Sequence, residues 1–312
     1  MAGIDTLEDL YAAFTALNME GGWHRRFPAL WAEPRANFLP HQWRYADVKP
    51  ILARAGELIG TDKAERRNLT MFNPVEGNIY STVRSIVAAY QMIRPGEVAR
   101  AHRHTPNALR LILEGSGTYT VVDGHRVEMR PGDVLLTPSW AWHSHDNIGP
   151  DDCYWMDFLD VPLVHLLEPM FYEPHPQGIE ADPVLVETAP LAFRREDTLA
   201  RLDVAPASDD AHASVQLGDP ALKSIRLDMQ RLVAGGSTLA RCRTTANIIY
   251  AVVEGRGQTE IDGEIFTWGF GDTIAIPAWR SYRHTASSDA LLFKVSDAPV
   301  MAAFDWLRSE AE

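Results

Sequence analysis

The chain of 312 residues carries one pattern of short apolar runs twice. LILEGSG at 111–117 corresponds to VVEGRG at 252–257, and GDVLLTPSWAWHSH at 132–145 corresponds to GDTIAIPAWRSYRH at 271–284. In both copies Gly and Pro turns separate the runs, and Asp123-Gly124 is typical of a hairpin turn. Short strands with such turns predict an all-β sandwich or barrel, and the repetition predicts two of them.

The first copy contains three histidines in a pattern that suits a metal. His102 and His104 are two residues apart, so that on a strand they point to the same face. His143 follows an apolar run and can join them from a returning antiparallel strand. Three neutral imidazoles with room left over suit a divalent transition metal that keeps open coordination positions.

The second copy lacks these ligands. Counted back from the shared Glu-Gly pair, Cys242 and Thr244 occupy the places of His102 and His104, and Tyr282 occupies the place of His143. A thiol, a hydroxyl and a phenol make a poor site for a divalent metal. We therefore expect the second barrel to be metal-free.

The spacing of the first copy resembles the two motifs of the cupin superfamily. The residues that match are Gly96, His102, His104 and Gly115 in the first motif, and Gly132, Pro138, His143 and Asn147 in the second. Ala108 stands where most metal cupins carry a glutamate ligand, which leaves a site of three histidines. HRHTPNALR and TPSWAWHSHDN are similar to the gentisate 1,2-dioxygenase group, which includes ring-cleaving enzymes for salicylate and hydroxynaphthoate.

The resemblance implies a bicupin, with two double-stranded β-helix (jelly-roll) barrels, and one Fe(II) per chain bound by the three histidines. It also implies a homotetramer. Its implied reaction joins dioxygen to a small aromatic acid that has a hydroxyl ortho to its carboxylate. The ring opens between the carbons that bear these two groups, as in extradiol-type cleavage.

Gentisate and substituted salicylates such as 5-nitrosalicylate are the implied substrates. 1-Hydroxy-2-naphthoate is an alternative. The three histidines also permit a non-redox metal hydrolase or isomerase, since zinc accepts three histidines and a water. A cupin that binds without turnover remains a third class.

Four residues are candidates for binding the substrate. The resemblance places Arg66 near a substrate carboxylate. For its neighbour Arg67, a solvated surface position is an equally weighted alternative. Arg110 follows His104 by six residues, so we expect it on the same strand and face; it either pairs with Glu114 or awaits the carboxylate. Val87 and Gln91 share a face of one strand. Where salicylate-cleaving relatives carry a bulky aromatic, Val87 leaves space for a further ring substituent.

His145 and Asp157 are the candidate catalytic residues. His145 lies two residues beyond His143, and the resemblance implies that it hydrogen-bonds a substrate hydroxyl or dioxygen. Asp157 is a carboxylate inside an apolar run, CYWMDFLD. Because buried carboxylates are usually paired, we expect its partner to be His145 or a substrate hydroxyl.

The repeat divides the chain into five expected segments. These are an N-terminal helical and irregular arm at 1–79, the metal-binding barrel at 80–167, a Pro- and acid-rich linker at 168–215, the metal-free barrel at 216–300, and a C-terminal helix at 301–312. Asp5 or Thr6 can cap the first helix of the arm.

Charge and cysteine content exclude several partners. The net charge is −13, from 29 basic and 42 acidic residues, which argues against nucleic acid and anionic membrane surfaces. An anionic substrate therefore needs a local basic patch. No stretch approaches the ~18 apolar residues of a membrane span. Two cysteines are too few for a disulfide framework, so we expect a cytoplasmic protein.

Overall fold

The computed structural model describes residues 4–24, 29–35, 37–187, 191–209, 212–218, 222–237 and 242–311. Two compact units are distinguished, Met1–Arg35 and Ala36–Glu312. The first unit contains α1 (Leu7–Thr15). Thr6 caps this helix, as one of the two expected candidates: its hydroxyl accepts from the backbone N–H of Asp9, and the Asp9 carboxylate accepts from that of Thr6. The described helices include none long and apolar enough to span a membrane.

All other elements belong to the second unit. The helices are α2 (Tyr45–Leu58), α3 (Val161–Leu167), α4 (Arg195–Val204) and α5 (Ala298–Ala303). The strands up to the middle of the chain are β1 (His41–Trp43), β2 (Arg67–Met71), β3 (Val87–Ile93), β4 (Val98–His104), β5 (Ala108–Glu114), β6 (Thr118–Val122), β7 (His125–Glu128), β8 (Val134–Thr137), β9 (His143–Asn147), β10 (Cys153–Leu159), β11 (Tyr172–Pro174), β12 (Val184–Leu185) and β13 (Ala192–Phe193). The later strands are β14 (Ala207–Asp209), β15 (His212–Leu217), β16 (Arg226–Leu232), β17 (Cys242–Thr244), β18 (Ile248–Glu254), β19 (Gly257–Ile261), β20 (Glu264–Trp268), β21 (Thr273–Ile276), β22 (Tyr282–Ala286), β23 (Ala290–Ser296) and β24 (Ser309–Ala311).

The first barrel is formed by two six-stranded sheets, in the orders β13-β8-β5-β10-β3-β2 and β11-β4-β9-β6-β7-β12. Their inner faces meet in a cluster that joins Ile112 and Trp155 of one sheet to Val127 of the other. The hairpin predicted at Asp123-Gly124 connects β6 to β7, and both residues have positive φ, 45° and 78°. This is the geometry of a type I′ turn, which matches the twist of the strands.

The second barrel repeats this plan with the sheets β1-β21-β18-β23-β16-β15-β14 and β20-β19-β22-β17-β24. Its interior cluster includes Tyr250, Trp268 and Tyr282. A third and larger cluster lies where the two barrels pack sheet against sheet, and contains Phe158 of the first and Phe293 of the second. The predicted all-β architecture of two jelly-roll barrels is confirmed.

Two of the expected segments contain strands that the sequence did not predict. In the arm at 1–79, β1 and β2 add strands to β21 and β3, one in each barrel. The expected linker at 168–215 is structured: β11, β12 and β13 pair with β4, β7 and β8, and α4 buries Leu202. Two- and three-residue strands have no periodicity of their own, because the neighbouring sheet edge supplies their order.

The predicted C-terminal helix at 301–312 is mostly wrong. The helix is α5, which begins at Ala298 after Asp297 and has Pro at its start. It ends at Ala303, and Asp305 then adopts a positive φ of 58° that cannot continue a helix. The residues after it form β24, which pairs with β17.

Candidate metal centre and its pocket

His102, His104 and His143 converge inside the first barrel. His102 and His104 lie on β4, and His143 on β9 lies directly opposite His102. One ligand atom from each ring lies within 4.8 Å of the others. A β-bulge in β4 between Ala99 and His102 adjoins the site. Bulges are common next to active sites, where they change the direction in which a side chain points.

The backbone fixes which ring nitrogen each histidine offers. Nδ1 of His102 lies 3.0 Å from the carbonyl oxygen of Arg100, Nδ1 of His104 lies 2.8 Å from that of Pro106, and Nδ1 of His143 lies 3.0 Å from that of Ala141. A carbonyl only accepts, so each Nδ1 carries the proton and donates. The lone pair of each Nε2 is left for a ligand, which is the usual outer-shell arrangement of a metal-binding histidine.

Burial keeps the three imidazoles neutral. It lowers the pKa of His102 to about 4 and that of His104 to about 4, and it moves the pKa of His143 well below the usual value. Positive charge on Arg110 adds to the effect at all three. Neutral, oriented Nε2 donors without a carboxylate fit a divalent transition metal that keeps positions open to other ligands.

Arg110 lies on the facing sheet, and its charge acts on all three histidines. The expectation that it shares a strand with His104 is wrong, since the chain crosses between the sheets at 105–107, where Pro106 interrupts the pairing. The alternative pairing with Glu114 is also wrong. Arg110 lies opposite Asp157 on β10, and its Nε is 3.4 Å from that carboxylate, whereas Glu114 binds Lys49.

Asp157 is the centre of a buried polar network. Its carboxylate accepts from Trp155 Nε1 at 2.8 Å and from the amide of Gln91, whose carbonyl accepts from Arg66 Nε at 2.7 Å. Burial raises the pKa of Asp157, and Arg110 and Arg66 oppose this. Because donors reach both of its oxygens, the geometry matches the ionised carboxylate.

The expected pairing of Asp157 with His145 is therefore wrong. His145 lies on β9 with its ring centroid 6.4 Å from that of His143 and 5.6 Å from that of Trp155. It is 1% exposed, and neither ring nitrogen has a hydrogen-bond partner among the described residues. Burial moves its pKa well below the usual value, with Arg110 as the next cause. A neutral imidazole in this position can donate to or accept from a bound molecule.

The pocket carries a net positive charge. Two guanidinium groups, Arg66 and Arg110, stand against the single carboxylate of Asp157 beside four neutral histidines. The neighbouring Arg67 takes no part in the pocket. It is 2% exposed and bound through both terminal nitrogens to Glu97, so the alternative of a solvated surface position is wrong for it. Within a chain of net charge −13, this is the local basic patch that an anionic substrate requires.

Val87 lies on the same face of β3 as Gln91, since β3 pairs with β10 without a bulge. It is 7% exposed and lies at the end of the strand. Sequence reasoning missed Thr137, which accepts from Arg110 at 2.6 Å, and Trp155, the donor to Asp157. It also missed Tyr172, whose ring centroid lies 5.4 Å from that of His102. The one sequence signal for Trp155 is its spacing of two residues from Asp157, which places both on one face of a strand. Thr137 and Tyr172 lie on other strands, so no spacing along the sequence indicates them.

Comparison with known proteins agrees with this geometry. The cupin domain family matches residues 89–161. A 5-aminosalicylate 1,2-dioxygenase of a Comamonas species is 33% identical over 98% of this chain and 90% of its own length. A gentisate 1,2-dioxygenase of a Streptomyces species is 32% identical over 97% of this chain and 95% of its own.

Among solved structures, a salicylate 1,2-dioxygenase from Pseudaminobacter salicylatoxidans superposes with a TM-score of 0.91. It is 28% identical, and the match covers 98% of both chains. The likeness therefore extends over both barrels and over the segments that connect them.

Proposed function

Because this chain belongs to the family of ring-cleaving gentisate and salicylate 1,2-dioxygenases, we propose that it uses one Fe(II) to open the ring of an aromatic acid with a hydroxyl ortho to its carboxylate. His102, His104 and His143 are the proposed ligands. When bound, the iron would supply open coordination positions for the acid and for dioxygen. The observation that carries the proposal is the net positive pocket beside three neutral, oriented imidazoles.

The arginines orient the acid in this proposal. A guanidinium matches a carboxylate with parallel hydrogen bonds, and Arg66 is half-buried with its Nε bound to Gln91. Arg110 is bound by Asp157 and Thr137 and contributes positive charge to the site. Gln91 links Arg66 to Asp157, which restricts the rotamers of both and keeps the basic groups in place.

His145 is the proposed partner for a hydroxyl or for dioxygen. Its ring nitrogens have no partner among the described residues, and such a group costs about 1–3 kcal/mol when buried. A bound substrate that hydrogen-bonds it recovers this cost. Asp157 acts through Arg110 and Gln91, whose positions it holds; it is a positioning residue in this proposal.

The proposed substrate is gentisate or a salicylate that carries a further substituent on its ring. The matched relatives act, by their names, on 5-aminosalicylate and gentisate, and both carry a substituent beyond the shared carboxylate and hydroxyl. Val87 supports a substituted ring, since a small side chain lies on the same face of β3 as Gln91. We also propose a homotetramer in the cytoplasm, with exposed Trp23 and Trp31 of the first unit as candidate subunit contacts.

Oxygen uptake tests the proposal. The chain is loaded with Fe(II) under anaerobic conditions and mixed with gentisate, 5-aminosalicylate, 5-nitrosalicylate, salicylate and 1-hydroxy-2-naphthoate. We expect stoichiometric oxygen consumption and loss of the aromatic absorbance with at least one of these acids. Absence of uptake with all of them, or turnover that continues without oxygen, would refute the proposal; the second result would favour a hydrolase or isomerase.

A further inference from the structure

A cavity of about 280 Å³ lies at the edge of the first barrel, between β7 and β8. Its walls are apolar and include Val127, Leu135 and Leu191. Asp123 and His125 also line it, and both are exposed, so they mark its rim. The cavity therefore connects the surface to the gap between the two sheets of the barrel.

One wall of the cavity lies next to the histidines. Val122 lies directly opposite His143 in the pairing of β6 with β9, and Thr120 lies opposite His145. Both Val122 and Thr120 line the cavity. Directly opposed residues of an antiparallel pair share a face, with Cβ atoms about 5 Å apart. The cavity is thus one strand away from the proposed metal ligand and from the unpartnered histidine.

The other wall adjoins the basic groups. Leu135 on β8 lies opposite Arg110 on β5, which lies opposite Asp157 on β10. These three side chains share the inner face of their sheet. Arg66 and Gln91 lie at the other end of the same sheet, beside β2 and on β3. The cavity therefore adjoins the strands that carry the histidines and Arg110, at the end of the sheet away from Arg66, the proposed partner of the acid.

The chemistry of the walls selects the occupant. A cavity lined by aliphatic side chains stays dry and takes up small apolar molecules or noble gases. An aromatic carboxylate placed among Val127, Leu135 and Leu191 would lose its hydration, and the Asp123 carboxylate at the rim would repel it. An uncharged diatomic gas meets neither penalty.

We propose that this cavity holds dioxygen and delivers it to the histidine pocket from the β7–β8 edge, apart from the path of the acid. The proposal rests on the dioxygenase activity proposed above. It assigns the short strand β13, which pairs with β8 and contributes Ala192 to the cavity, a function as one wall of a gas passage.

Xenon and a plug variant test this. Crystals of the protein under xenon pressure should show a xenon atom between Val127 and Leu135, with or without iron. Ala192 lines the cavity and is partly buried, so Ala192→Phe should fill the space and remove the xenon peak. The matched control is Ala303→Phe, at an exposed position on α5.

In steady-state kinetics, Ala192→Phe should raise the KM for dioxygen several-fold. The KM for the aromatic acid and kcat at saturating oxygen should not change, and Ala303→Phe should change none of the three. An empty cavity in wild-type crystals under xenon overturns the proposal. So does a plug that removes xenon yet leaves the KM for dioxygen unchanged, or one that raises the KM for the acid instead.

The two proposals fail in different ways. Loss of the dioxygenase assignment would appear as no oxygen uptake by the wild-type chain with any acid. The xenon measurement needs neither iron nor turnover, so a wild-type cavity without xenon refutes the gas passage even when oxygen uptake is normal.

Discussion

For His145, the proposed catalytic role can be tested separately from its contribution to stability. Its buried nitrogens have no partner in the described part of the chain, so removal of the ring polarity should cost no folding energy. We expect His145→Leu to leave the free energy of unfolding unchanged or raised and the iron content at one per chain. The kcat should fall about 10²- to 10⁴-fold, the range for a lost proton-transfer or hydrogen-bonding group.

His284 is the matched control, since it takes the place of His145 in the second barrel. Its Nδ1 lies 2.7 Å from Thr259 Oγ1 in a fully buried setting. His284→Leu should lower the free energy of unfolding by about 1–3 kcal/mol and leave kcat unchanged. Urea denaturation, metal analysis and oxygen uptake measure the three quantities. Loss of iron in His145→Leu would instead identify His145 as a metal ligand.

Arg66 and Arg67 are adjacent in sequence, yet substitution of Arg67 should lower stability and substitution of Arg66 should raise the KM for the acid. Arg67→Met leaves the Glu97 carboxylate without its buried partner and should cost about 3–5 kcal/mol of stability. Arg66→Met removes the proposed charge-assisted contact with the acid. A contact of this kind is worth about 1.5–3 kcal/mol, so we expect KM to rise roughly 10- to 100-fold. Urea denaturation and the KM for 5-aminosalicylate check the pair. An unchanged KM in Arg66→Met would remove Arg66 from the proposed binding site.

At the scale of single strands, β4 and β17 occupy equivalent positions in the two barrels but carry different side chains. His102 lies opposite His143 in the first barrel, and Cys242 lies opposite Tyr282 in the second. The Tyr282 hydroxyl lies 3.4 Å from that of Tyr250, and burial raises its pKa well above the usual value. The phenol therefore stays protonated, and a protonated phenol is a poor ligand.

Metal content should reflect this difference between the strands. We expect one iron per wild-type chain, none in His104→Ala, and one in Cys242→Ser, measured by atomic emission after anaerobic loading. Two metal ions per wild-type chain, with one of them lost in Cys242→Ser, would contradict the expectation of a metal-free second barrel.

The same strands mark how far the sequence predicts the site. Residues two apart on one strand, such as His102 and His104, share a face because the side-chain period is fixed. The partners of Asp157 were not predictable in this way, because pairing across strands depends on register, which is set by the whole sheet. The prediction that Arg110 shares a strand with His104 is wrong for a related reason. The three residues between β4 and β5 take the chain to the facing sheet, where Arg110 lies on the inner face of β5.

At the scale of the molecule, the two barrels share a large apolar interface, and this should make them unfold together. Phe158 and Phe293 are fully buried there, with ring centroids 5.9 Å apart in an edge-to-face arrangement. Tyr90 of the first barrel also donates to the Gly271 carbonyl of the second at 2.7 Å. Domains joined by a large hydrophobic interface do not move or melt independently.

Truncation of either ring should therefore weaken both barrels. Phe158→Ala and Phe293→Ala should each cost about 3–5 kcal/mol, with a coupling of about 0.5–1.5 kcal/mol in the double variant. Ile265→Ala, at an exposed position of the second barrel, should stay within about 0.5 kcal/mol of wild type. In urea, far-UV circular dichroism and release of iron should follow one transition in every variant. If Phe293→Ala instead melts in two steps and keeps its iron through the first, the second barrel does not support the metal centre, and the interface only joins two independent domains.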